Sequence, residues 1–337
     1  MESLQKQFVC VRVVTIDDVD LGLFQFDQDQ TWSAFFLNAD GTIYGRYGTR
    51  AAGGEKSTTH LSVASFRKTM QRALELHKGY PSNRARLTGK RGPKPEYRVP
   101  KDIPRVEQRH CIECHQVRGN VLRHKWQKNR LTAADIWPYP LPENIGLKMD
   151  VDDGLRVKTV TPDSPAERAG IAAKDELVSL GGQPLISQAD IQWVLHQVPD
   201  EAKVVATLKR DGKELLQSIT LSGSWKESDL SWRASSWPGL RYWLRTTPLP
   251  SEEKKKAGLA RDHLALVVKD MVAQRTAGLR KAGLRVGDVI IAVDGKSQAM
   301  TESQFLAYLR LNHGPDDQVK LTVLRGKERV ELAVRMW

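Results

Sequence analysis

Three kinds of apolar spacing run along the chain. Phe8-Val9-Cys10-Val11-Arg12-Val13-Val14 has the alternation of a strand, in which Cys10 would be a small buried hydrophobe. Residues 32–48 read as a hairpin that turns at Asn38-Ala39-Asp40-Gly41. From His60 to Tyr80 the period lengthens to that of an amphipathic helix, with Leu61, Phe66, Met70 and Leu74 on one side. Residues 105–131 again read as helix, in one piece or in two with a break at Gly119.

Beyond this point the pattern repeats. Residues 166–182, AERAGIAAKDELVSLGG, align without a gap on residues 279–295, LRKAGLRVGDVIIAVDG, at an offset of 113. Ala169-Gly170 matches Ala282-Gly283, Asp175 matches Asp288 and Gly182 matches Gly295. Two hairpins follow in register, residues 208–221 turning at Asp211-Gly212 and residues 323–336 turning at Gly326. Between block and hairpin each copy has a helical stretch, with Ser187 and Thr301 placed as N-caps. Gly170 and Gly283 suit the left-handed position at a helix end, and Asp175 and Asp288 open a turn into a buried strand.

These blocks resemble PDZ domains of the bacterial, circularly permuted kind. The second copy follows the family's pattern almost residue for residue, whereas the first has Lys174 where the family has glycine. The resemblance implies modules that bind the carboxyl-terminal ends of proteins or peptides by strand addition, with the terminal carboxylate held on a loop containing glycine. In the first copy that loop matches Asn144, Ile145, Gly146 and Leu147; in the second it is assigned to Ala257, Gly258 and Leu259.

Charge changes the picture in one segment. The net formal charge is +12, and between Tyr80 and Arg130 there are fourteen basic residues against four acidic ones. Such a patch suits an acidic redox partner or an anionic surface, and no nucleic-acid module signature accompanies it. No apolar run is long enough to cross a membrane. The opening residues lack the features of a signal peptide, so a periplasmic or cell-envelope protein would need an upstream signal missing from this sequence, and the chain as written would otherwise be cytoplasmic.

Chemistry is concentrated at His110-Cys111-Ile112-Glu113-Cys114-His115. Cys-x-x-Cys-His is the spacing that attaches haem c, with two thioethers from Cys111 and Cys114 and His115 on the iron. Met149, His124 or Met70 would then be the sixth ligand. The same residues allow a redox dithiol of Cys111 and Cys114, activated by Arg109 and Arg118, a zinc site, or two inert cysteines. There is no G-x-S-x-G and no H-E-x-x-H motif.

The order of strand, hairpin and helix over residues 1–80 is similar to the back half of a thioredoxin fold, without its catalytic cysteines. Together these features resemble bacterial thioredoxin-like/PDZ (seleno)proteins. The expected fold is multidomain α+β: a truncated thioredoxin-like α/β domain over residues 1–80, a basic linker and helical CxxCH segment over 81–140, and two PDZ-like barrels with helices over 141–224 and 225–337. The leading expectation of function is a non-proteolytic tandem-PDZ scaffold of the cell envelope carrying a covalent haem. The alternatives are a thiol-disulfide oxidoreductase using Cys111 and Cys114, and an interaction protein with inert cysteines.

Overall fold

The computed structural model describes residues 2–50, 58–106, 112–236, 244–271 and 277–336. The chain divides into two compact units, residues 1–117 with 137–232, and residues 118–136 with 233–337. Each contains one copy of the repeat.

In the first unit, β1 (Ala34–Leu37) and β2 (Ile43–Tyr47) form the expected hairpin. Helix α1 (Val63–Lys78) begins at a reciprocal cap in which the side chains of Ser62 and Ser65 each accept from the other's backbone N–H. Its buried face, with Met70 and Ala73, packs with Phe36, Tyr44 and Tyr47, and the same cluster includes Ile186 of the repeat. The expected strand over residues 8–14 is not formed. Residues 9–16 pair with nothing in a ladder, Val9 is 95% exposed, and Cys10 is exposed rather than buried. Among the described residues β1 and β2 pair only with each other, so alternation alone found no sheet edge to join.

Helix α2 (Cys114–Gln127) runs through Gly119 without the expected break. The repeat in the first unit then comprises β3 (Leu147–Met149), β4 (Val157–Val160), α3 (Pro165–Arg168), β5 (Glu176–Leu180), β6 (Gln183–Pro184), α4 (Gln188–Gln197), β7 (Ala202–Arg210) and β8 (Lys213–Leu221). β3 pairs with β4, and β6, β5, β7 and β8 form a second antiparallel sheet. Ser187 caps α4 as expected, its side chain accepting from Ala189 N–H.

The second unit repeats this with β9 (Leu244–Pro248), α5 (Ser251–Lys256), β10 (Leu266–Met271), α6 (Ala277–Lys281), β11 (Val289–Val293), α7 (Glu302–Asn312), β12 (Gln318–Arg325) and β13 (Glu328–Arg335). Thr301 caps α7 with Gln304 completing a capping box. Here the strands form one sheet, ordered β13-β12-β11-β10-β9. In the same unit Trp126 donates its indole N–H to His313 O at 2.7 Å, and the Arg310 guanidinium lies 4.1 Å from its ring centre.

A buried aspartate held by a partly exposed arginine fork braces each repeat's turn. Asp175 accepts from Arg210 Nε and Nη2 at 2.7 and 2.8 Å and from Ala172 N–H at 2.8 Å. Asp288 accepts from Arg325 Nε and Nη2 at 2.9 and 2.8 Å and from Arg285 N–H at 2.9 Å. Burial alone would raise both carboxyls, but the guanidinium opposite each more than offsets it and holds them below the usual carboxylate range.

Lys174 keeps the turn that glycine makes in the second copy. Its φ is +76° where Gly287 has +91°, and Lys174 N–H donates to Val157 O as Gly287 N–H donates to Val268 O. A side chain in the left-handed region costs ~1 kcal/mol, partly offset in glycine by a more disordered unfolded chain. Lys174→Gly is therefore expected to raise the unfolding free energy of the first unit by up to about 1 kcal/mol in urea titration. A loss of stability would show that this turn is not strained.

Candidate functional site: the edge strand and glycine loop of the first repeat

The 3-10 turn of residues Pro142–Ile145 ends at Gly146, whose φ is +90°. Its N–H donates back to Glu143 O, and Gly146 O accepts from Thr161 N–H at 2.8 Å. A Cβ at Gly146 would stand 2.1 Å from Cβ and Oγ of Ser164, the residue that caps α3. Only glycine fits both the backbone angle and that approach.

Directly after the loop comes β3. Leu147 and Met149 point into the core, Lys148 points out, and among the described residues β4 is the strand's one ladder partner. Its other edge is the place where an extended chain can add. That edge is short, because Val151 O already accepts from Ser62 Oγ at 3.1 Å.

The helix α4 is far more enclosed than an exposed PDZ helix would be. Residues Asp190 to Leu195 are all buried. Lys90 Nζ donates to Asp190 Oδ2 at 2.7 Å, and both side chains are 1% exposed. Asp190 also accepts from Arg46 N–H at 3.2 Å and Ile186 N–H at 3.1 Å, while Ser187 Oγ donates to Arg46 O. The Arg46 guanidinium stacks 3.8 Å from the Trp193 ring centre, and Trp193 Nε1 donates to Gly89 O. Burial pushes the Lys90 amine down, with the Asp190 carboxylate acting the other way. None of Arg46, Lys90 and Asp190 stands out in the sequence, since a lysine in a basic run reads as solvated. Lys101 with Asp18 and Lys125 with Asp135 also spend basic charge internally.

The second repeat's loop does not lie where sequence matching puts it. Val157 and Val268 are structural counterparts: each N–H donates to its copy's turn aspartate O, and each stands at the same register shift. Val157 pairs with Met149 and Val268 with Thr246, so Leu147 corresponds to Leu244. The residues just before Leu244 lie outside the described residues, and in the sequence Trp243 precedes Leu244 where Gly146 precedes Leu147. Ala257, Gly258 and Leu259 sit after α5, in the longer β9–β10 connection.

Cys111 lies outside the described residues. Cys114 opens α2 half-buried, and burial raises its thiol, with Glu113 adding to the rise and the helix backbone opposing it. That is the reverse of an activated thiolate. His115 Nε2 lies 3.2 Å from Glu113 Oε2, Met149 is core in β3, and Met70 is core in α1. Among the described residues no three His, Cys, Asp or Glu side chains gather as a metal site.

Comparison with known proteins agrees with the repeat and overturns the redox reading. The model of the PDZ domain family matches residues 144–221 and 254–336. A Marinomonas protein named as a probable periplasmic serine endoprotease, DegP-like, is 32% identical over 157 residues, 46% of this chain and 31% of that protein. The periplasmic pH-dependent serine endoprotease DegQ of Escherichia coli is 25% identical over 239 residues, 71% of this chain and 47% of that protein. The chain thus spans between about a third and a half of the length of these two curated relatives. A crystal structure of the serine endoprotease from Yersinia pestis matches 23% of this chain and 28% of its own at 28% identity, with a TM-score of 0.21. The expected non-proteolytic haem scaffold and its oxidoreductase alternative are corrected on this ground: the curated relatives are named serine endoproteases, and none of those cited is named for thioredoxin, selenoprotein or haem chemistry. The chain carries two PDZ domains, and through them it is homologous to the DegP-like endoproteases.

Proposed function

We propose that the first PDZ domain captures the carboxyl-terminal ends of polypeptides, and that it does so within a periplasmic proteolytic system of the kind its relatives are named for. The observation that carries this reading is the Gly146 loop, with φ +90° and packed onto Ser164, set directly before the open edge of β3. A peptide added there pairs its backbone with β3, and its terminal carboxylate meets the backbone of the loop. Because Ser62 holds Val151, the edge reads only about the last three residues of a ligand. No helix among the described residues is long and apolar enough to cross a membrane.

The test is fluorescence anisotropy on the full chain with a fluorescein-labelled decapeptide ending in a free hydrophobic residue, against the same peptide as its carboxamide. Micromolar binding of the acid and at least tenfold weaker binding of the amide is the expected result. Equal affinity for acid and amide would dismiss end capture.

A further inference from the structure

The segment that leaves β8 turns back across the first PDZ domain. Trp225 is almost wholly buried in the same cluster as Ile145, Leu147 and Leu195. Its indole Nε1 donates to Asp200 O at 2.9 Å, just beyond the end of α4. Its own carbonyl and that of Glu227 accept from Asn144 Nδ2 at 2.9 and 3.1 Å. Glu227 N–H donates to Ser224 O, closing a turn, Lys226 Nζ lies 3.2 Å from Asp200 Oδ1, and Leu230 is fully buried.

One short stretch therefore ties the loop side of the groove, at Asn144, to the helix side, at Asp200. Those are the two walls between which the last side chain of a bound peptide would have to fit. Here the backbone of 225–227 is held on the Asn144 side chain while the indole goes inward, so that loop and helix end hold this stretch from both sides.

We propose that residues 224–230 are an internal ligand of the first PDZ domain, with Trp225 in the pocket for a ligand's terminal side chain. The pocket accordingly prefers polypeptides ending in a bulky aromatic residue, and they enter when this strap is displaced. The inference rests on the end-capture reading of the Gly146 loop.

The experiment uses the full chain and a fluorescein-labelled decapeptide ending in tryptophan with a free carboxylate. Trp225→Ala is expected to tighten binding at least tenfold. A second variant guards against simple loss of folding: Asn144→Cys with Glu227→Cys, in a chain whose three native cysteines are serine, locks the strap by a disulfide. The locked chain is expected to lose binding and to regain it on reduction. Carboxylate-dependent binding that is the same in wild type, Trp225→Ala and the locked chain would overturn the internal ligand and leave end capture standing. No binding to wild type or to a folded Trp225→Ala chain would overturn both.

Discussion

Replacing Lys90 with methionine is expected to destabilise the first unit by about 3–5 kcal/mol, the usual cost of stranding one member of a buried ion pair. Asp190 has no access to water in exchange, because it is 1% exposed; its remaining hydrogen-bond partners are two backbone N–H groups, with the Arg46 guanidinium acting on it through space. Those bonds steady the carboxylate without neutralising it. Burial already pushes the Lys90 amine below its ordinary value, so the charged pair is not a strong net gain over neutral groups. It follows that Lys90→Met with Asp190→Asn should recover only part of the loss, since the amide oxygen still accepts a backbone N–H but the buried Arg46 guanidinium loses the carboxylate it faces. Urea titration with hydrogen exchange read at α4 would measure both. A single-variant loss below about 1 kcal/mol would mean that water reaches the pair.

Gly146→Ala is expected to cost about 2–5 kcal/mol, combining a left-handed backbone angle with overpacking. The added methyl would lie 2.1 Å from Ser164, so either the loop or the start of α3 must move. Binding of a carboxyl-terminal peptide should fall below detection even where the protein remains folded. Ser164→Gly removes the atoms in the way but not the φ of +90°. The double variant should therefore regain part of the stability and little of the binding, which separates steric crowding from loop geometry. Full binding in Gly146→Ala would move the carboxylate site away from this loop.

The two predictions concern residues of very different legibility. Gly146 could be found from the sequence because a glycine before an apolar strand at the head of a repeat carries a local conformational meaning. Asp175, Asp288, Ser187 and Thr301 were legible in the same way, since caps and turns are set within a few residues of chain. Lys90, Asp190 and Arg46 were not, because 100 residues separate the lysine from its aspartate and nothing local marks either as buried. The strand expected over residues 8–14 failed for the opposite reason, as a strand needs a neighbour as well as alternation. The cysteine pair misled because a five-residue spacing holds no information on burial. Cys114 has its thiol raised, and the relatives cited are named for serine endoprotease activity.

The repeat of residues 166–182 on 279–295 determined by itself that the chain holds two copies of one module, and it fixed their caps, turns and hairpins, which are short-range properties of a chain. Only the tertiary structure decided that Leu244, and not Leu259, stands where Leu147 stands, because strand register is a matter of which edges pair. It alone placed Trp225 against the loop of Asn144, a contact 81 residues apart in sequence that depends on how the chain returns after β8. Local rules write the module, and the packing of distant segments decides which face of it is left open.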